Sequence, residues 1–278
     1  MNKVILLGAG GKMGMRLARN LSRSAYEVIY AEVNAERRAA FEAELGRTCS
    51  GDVNFSDCDA VILAVPDNAI GRIAAQIAPK LRAGTMVIVL DAAAPYAGDM
   101  PDRSDLSYFI AHPCHPSMFN WEADETAARD TFGGAGARQA IVCALMQGPE
   151  EHFAFGADLA SCFYAPVSQV HRATVEQMAI LEPVLSETVV ATCLTLINEA
   201  ILEAEKRGVP YEMARDFTLG HIYAESAIIF GHIKGTAMSD GCLKAIEDAK
   251  PKLLNPEWRQ VFEKDEMVKS IRSITQAV

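Results

Sequence analysis

Residues 4–21 read VILLGAGGKMGMRLARNL. A short apolar run breaks on glycines at 8, 10, 11 and 14, and an amphipathic, helix-like stretch follows. The spacing is not a strict GxGxxG, because Met13 stands where the third glycine would fall. It fits GxxGxxG through Gly8, Gly11 and Gly14. Small residues allow a sharp turn and let backbone N–H groups approach a pyrophosphate, which the helix N-terminus then faces. Gly8, Gly10, Gly11, Lys12 and Met13 are therefore the expected dinucleotide contacts. The competing reading of the glycines alone is a tight turn with no ligand.

Outward from this loop, short β-branched runs alternate with helical stretches. EVIYAEV (27–33), AVILAV (60–65), TMVIVLD (85–91), SYFIA (107–111) and QAIVCAL (139–145) read as strands. Residues 12–23, 35–45 and 68–81 read as helices. Alternation of this kind, with almost unbroken apolar strands, predicts an α/β fold. Its first part is a Rossmann doubly wound parallel sheet, covered on both faces. After Gly148-Pro149 the pattern turns helical. The expected organisation is a dinucleotide-binding domain over 1–148 and an all-helical substrate and dimerisation domain over 149–278. The longest helical segment, 184–207, would span about 36 Å. It starts after Pro183 and stops at Gly208-Val209-Pro210. Asn255-Pro256 reads as a second helix start.

A net charge of −10 disfavours binding to a nucleic-acid backbone. No unbroken apolar run of about 18 residues occurs, so no membrane span is expected. The glycines of MNKVILLGAG do not suit a signal peptide. Seven scattered cysteines without a CxxC pair fit free thiols in a reducing, cytoplasmic setting. Long apolar helices in the second half suggest a homodimer.

Polar residues at the strand ends carry the chemistry. Glu32 closes the second strand, 24 residues after Gly8. A carboxylate there accepts bonds from ribose hydroxyls and repels a 2′-phosphate, which favours NAD. The neighbouring Arg37 and Arg38 argue for NADP instead. LAVPDNAI (63–70) brings Asp67 to the same carboxyl edge, where cofactors bind. AHPCHPSMF (111–119) follows the fifth strand with two histidines. Pro113 and Pro116 favour extended or polyproline backbone before them, with His112 and His115 about 9 Å apart on one side. That is too far for both to ligate one ion. Glu182 lies in AILEPVL between apolar residues, at a proline break. The residues support a hypothesis: His112 and Glu182 bind zinc or a similar divalent ion across an interdomain cleft, and His115 contacts substrate or moves a proton. The blander alternatives are a rigid, hydrogen-bonded histidine loop and a partly exposed acid at a helix start.

GAGGKMG, the acidic second-strand end, LAVPDNAI and a helical second half containing INEAILEAEKRGVP together resemble the 6-phosphogluconate and 3-hydroxyacid dehydrogenase superfamily. That family usually carries a catalytic lysine four residues before such an asparagine, where this sequence has Leu194. A metal ion would be the natural substitute for polarising a carbonyl. With AHPCHPSMF and QMAILEP added, the sequence resembles the oxidoisomerase branch of that superfamily, which acts on branched aldonates such as D-apionate. The resemblance implies NAD-dependent oxidation of a 2-hydroxyl, a ketol-type shift of a hydroxymethyl group, and His112 and Glu182 as metal ligands. A simple hydroxyacid dehydrogenase and a non-catalytic NAD-binding regulator are the other readings.

Overall fold

The apolar run of the glycine-loop stretch becomes β1 (Lys3–Leu7), in the interior of an eight-stranded sheet. The computed structural model describes residues 2–275. The chain continues through α1 (Lys12–Leu21), β2 (Glu27–Ala31), α2 (Ala35–Leu45), β3 (Cys49–Ser50), β4 (Ala60–Leu63) and α3 (Asp67–Ile77). Next come β5 (Met86–Val89), α4 (Ala93–Ala97), β6 (Ser107–Pro113), α5 (Glu125–Ala128), β7 (Gln139–Gln147), α6 (His152–Phe163) and β8 (Val167–Arg172). The strand order is β3-β2-β1-β4-β5-β6-β7-β8. All neighbours pair in parallel except β6 and β7.

Side chains alternate between the two faces. Val4, Leu6, Ala60, Ile62, Met86 and Ile88 pack in one buried cluster, and Ile5, Val61, Leu63, Val87 and Val89 in another. Because both faces are covered, the strands read as apolar runs rather than alternating ones. The glycine loop is forced by contact. Gly8 has φ +77°, and its N–H and that of Ala9 donate to Ala31 O at 2.8 and 3.0 Å. A Cβ on Gly14 would stand 2.0 Å from Gly8 O, so α1 can approach β1 this closely only with glycine there.

The strands do not stop at Gly148-Pro149, as expected from the sequence. Gly148 has φ +123° and turns the chain into α6, which packs on α1, and β8 then extends the sheet. The first compact unit runs to Glu182 and takes in residues 268–275. The second is Pro183–Met267. Beyond β8 lie α7 (Val175–Ala179), a π-helical segment over Ile180–Ala191, α8 (Thr192–Lys206), α9 (Tyr211–Ile229), α10 (Asp240–Leu253) and α11 (Lys264–Thr275). In the second unit α8 and α9 pack on one another. The expected helix at Asn255-Pro256 is a 3₁₀ turn, Trp258–Phe262, and the Asn255 side chain accepts from Glu257 N at 2.9 Å.

Val175–Lys206 is one 32-residue helix, long and apolar enough by length and composition to cross a membrane, with mean hydropathy 1.6. Glu182, Glu187 and Glu199 divide it, so it holds no unbroken apolar run.

Candidate active site

Adjacent strands β4, β5 and β6 end at one edge of the sheet and deliver the site's side chains. β4 leads through Pro66 to Asp67, the first residue of α3. Asp91 follows β5, and its Oδ1 accepts from Ala93 N at 2.6 Å. His112 lies on β6 and is half-buried. Its Nδ1 is 2.8 Å from Leu90 O. A carbonyl only accepts, so Nδ1 carries the proton and Nε2 faces the site. Nε2 stands 3.0 Å from Glu182 Oε2, with side-chain exposures of 22% and 24%. Glu182 is in the π-helical segment, next to Pro183, and belongs to the first unit. The expected position across an interdomain cleft is therefore corrected. Contacts group Glu182 with the sheet that carries His112.

The electrostatics are those of a crowded acidic site. Burial lowers the pKa of His112, but its hydrogen bond to Glu182 and that carboxylate's charge outweigh burial and raise it. Asp91 is raised chiefly by burial, against the N–H bond from Ala93. Asp67 stands at the solvent rim, but desolvation on its inner side, then the charges of Asp91 and Glu182, push it up to about 6 despite the lowering effect of His112. Asp91, His112 and Glu182 each offer one ligand atom, and the three atoms lie within 4.8 Å of one another. Two carboxylate oxygens and an imidazole nitrogen, the imidazole already oriented by a backbone carbonyl, fit a divalent cation.

His115 departs from the expected polyproline geometry. Its φ is +59°, a left-handed conformation that is rare before proline. Its Nδ1 bonds Phe132 O at 2.8 Å, and its ring meets that of Phe132 edge-on at 5.8 Å. The His112 and His115 ring centres are 6.3 Å apart. The turn thus brings the imidazoles closer than an extended loop would, and only His112 joins the ligand set.

At the glycine loop, a Cβ on Gly10 would meet Arg37 Cβ at 2.8 Å, and one on Gly11 would meet Gly8 O at 3.2 Å. Lys12 and Met13 open α1. Glu32 is buried, and its Oε1 accepts from Asn34 N at 2.9 Å. Arg38 donates to the carbonyls of Glu32 and Val33, both at 2.8 Å. Its guanidinium is thus engaged with backbone rather than turned toward a 2′-phosphate.

The sequence reading missed Asp91, although TMVIVLD shows an acid ending a central strand. Asking which polar residue closes each strand would have found it. It also missed Phe132, whose position depends on a glycine-rich loop with no regular pattern.

Residues 120–275 match the model of the C-terminal domain of decarboxylating phosphogluconate dehydrogenase, and residues 3–95 match that of the coenzyme F420-dependent NADP oxidoreductases. A D-apionate oxidoisomerase from Cupriavidus necator is 55% identical over 274 residues, covering 98% of this chain and 99% of its own. A second, from Rhizobium rhizogenes, is 50% identical over 276 residues, covering 99% of this chain and 100% of its own. The chain belongs to the D-apionate oxidoisomerase family. It is an oxidoreductase-type enzyme, as its resemblance to the dehydrogenase superfamily implied. The family's fold is seen in a crystal structure from Cupriavidus necator, described as a semialdehyde dehydrogenase NAD-binding protein in complex with calcium and NAD. That structure is 55% identical, covers 99% of each chain and has a TM-score of 0.96. A Rossmann sheet followed by a helical domain is the architecture expected from the sequence.

Proposed function

We propose that this enzyme is an NAD-dependent, metal-assisted oxidoisomerase of a small branched polyhydroxy acid, D-apionate or a close analogue. The observation that carries the reading is the Asp91, His112 and Glu182 donor set at the sheet edge that also bears the glycine loop. The names of the full-length relatives support the substrate class, and the calcium and NAD in the Cupriavidus necator protein support the cofactors. When bound, NAD supplies the acceptor for the C2 hydride, and a divalent cation held by Asp91, His112 and Glu182 supplies Lewis acidity at neighbouring substrate oxygens.

The chain's own residues do the rest. Leu90 O fixes the His112 tautomer so that Nε2 points to the cation site. Phe132 O holds Nδ1–H of His115, which leaves Nε2 as the acceptor for the C2 hydroxyl proton. Oxidation removes one hydride and one proton, giving a 2-keto acid. The hydroxymethyl shift that follows moves a C–C bond and conserves all atoms. Buried Glu32, with Arg38 occupied by carbonyls, favours NAD over NADP. Leu194, exposed on α8 where the superfamily's lysine is expected, offers no acid or base.

The test is to supply D-apionate and NAD, follow NADH formation, and read the product skeleton by carbon NMR, before and after chelation. Turnover with a rearranged skeleton, lost on chelation and restored by the cation, is expected. An unrearranged keto acid would make the enzyme a simple dehydrogenase. NAD binding without turnover across an aldonate panel would make it a regulator.

We further infer that the enzyme works in the cytoplasm as a homodimer and binds neither nucleic acid nor membrane. Leu194, Leu202, Met213, Phe217 and Leu219 on α8 and α9 are 40–67% exposed. The acids spaced along Val175–Lys206 oppose insertion into a bilayer, so a second copy of the chain suits this surface better. Light scattering that gives a monomer would overturn this reading.

A further inference from the structure

We propose that Arg16, together with Lys12, receives the carboxylate of the substrate, and that Phe132 is the positioning residue holding both cations beside His115. The inference rests on the sugar-acid reading above and names the part of the site that recognises the acid.

Lys12 and Arg16 are four apart on the first turns of α1. Lys12 Nζ is 4.9 Å and Arg16 Cζ 4.4 Å from the centre of the same Phe132 ring. Like charges four apart on a helix repel, and here one aromatic ring attracts both. Among the described residues, neither makes an ion pair. Their neighbours are engaged: Arg19 pairs with Glu44, and Arg38 donates to two carbonyls. Two neighbouring cations without a carboxylate, Lys12 exposed and Arg16 half-buried, in a chain of net charge −10, make a site for an anion.

The loop is shaped for this task. Gly134, at φ +100°, lies against the aliphatic stem of Arg16, where a Cβ would stand 3.6 Å from Arg16 Cβ and Cγ. Gly133, at φ +81°, leaves no room for a Cβ beside the Gln139 amide. Phe132 is itself half exposed, which wastes apolar surface unless the ring has work to do. Its carbonyl bonds His115, so the ring that collects the cations and the atom that orients the imidazole belong to one residue. An anion at the cations is thereby tied to the histidine beside the cation site. A planar guanidinium suits a carboxylate by two parallel hydrogen bonds.

The same positive charge could serve the dinucleotide pyrophosphate, and binding measurements separate the two sources. Titrate D-apionate calorimetrically into NADH-loaded wild type, Arg16→Gln and Phe132→Leu, where no hydride acceptor is present, and titrate NAD separately into each. The expected result is acid affinity weakened about tenfold or more in Arg16→Gln, in line with loss of a charged hydrogen bond. Phe132→Leu should lose less. NAD affinity should stay within about twofold of wild type in both variants. In turnover, KM for the acid should rise more than kcat falls. Weakened NAD binding with unchanged acid affinity would give the cations to the pyrophosphate and overturn the proposal. Equal acid binding in wild type and variants would overturn the subsite alone. No acid binding to wild type would overturn both the subsite and the sugar-acid reading.

Discussion

Replacing Glu182 by glutamine separates two roles that the ion pair combines. His112 Nε2 and Glu182 Oε2 are 3.0 Å apart. At an effective dielectric of about 20, their attraction is roughly 5 kcal/mol. Desolvation offsets most of that, and the 22% and 24% exposure of the two side chains screens it further. The glutamine amide can also donate to the lone pair of a neutral imidazole. Loss of the carboxylate removes the two leading causes that raise the His112 pKa, leaving the bond to Leu90 O and the charge of Asp91 to oppose burial. Without cation, Glu182→Gln should therefore cost about 1 kcal/mol or less. With cation the two proteins part. At a cation concentration about 100 times the wild-type Kd, binding stabilises the wild type by about 2.7 kcal/mol, worth roughly 5 °C in Tm. If losing one anionic ligand weakens binding about 100-fold, in the range measured for damage to a metal's surroundings, the variant gains only about 0.4 kcal/mol. The assay is thermal unfolding of both proteins in calcium or zinc chloride and in chelator. Equal cation-induced shifts would refute the assignment of Glu182 as a ligand.

Three further outcomes are expected. Gly14→Ala would place a Cβ 2.0 Å from Gly8 O and 2.8 Å from Ala9 Cα, both backbone atoms. It should cost about 1–3 kcal/mol and lower Tm by several degrees in a thermal scan. Glu32→Gln keeps an acceptor for Asn34 N–H but removes the charge; the ratio of kcat/KM for NAD to that for NADP should fall roughly tenfold, and an unchanged ratio would remove Glu32 from cofactor selection. Burial pushes the thiols of Cys49 and Cys58 up to about 11 and that of Cys143 up to about 12. These three should resist a thiol reagent at pH 8 until denaturant is added. An unfolded thiol titrates near about 8.5, so the folded state holds these protons longer. Their contribution to stability is therefore full below that pH and is lost as pH rises through about 11 to about 12, which unfolding curves across that range would record.

The readable parts of the sequence were those where residue type itself carries the constraint. Gly8 and Gly14 are glycines because a Cβ would strike backbone, so the loop and the α/β fold stood out. His112 and Glu182 were legible as polar residues among apolar ones, and the structure brings them together. The ends of the sheet were not legible. β3 is only Cys49–Ser50, and β8, VSQVHR, has too few apolar residues to announce a strand. Asp91 was hidden because an acid after MVIV reads as an ordinary strand end. His115 was misread because Pro116 argues for extended backbone, while its bond to Phe132 O holds a left-handed one. Contacts formed by an irregular loop, such as Phe132 over Lys12 and Arg16, leave no periodic trace.

The imidazole of His112 is aimed by the carbonyl of Leu90, and the next residue in the chain is Asp91. A single peptide unit therefore both steers one donor and carries another. Side-chain replacement at position 90 cannot delete that carbonyl, so scanning mutagenesis would report only how the Leu90 side chain packs against the core, while its main chain sets the centre's geometry. Only a backbone edit, such as an ester in place of the amide, would expose the dependence.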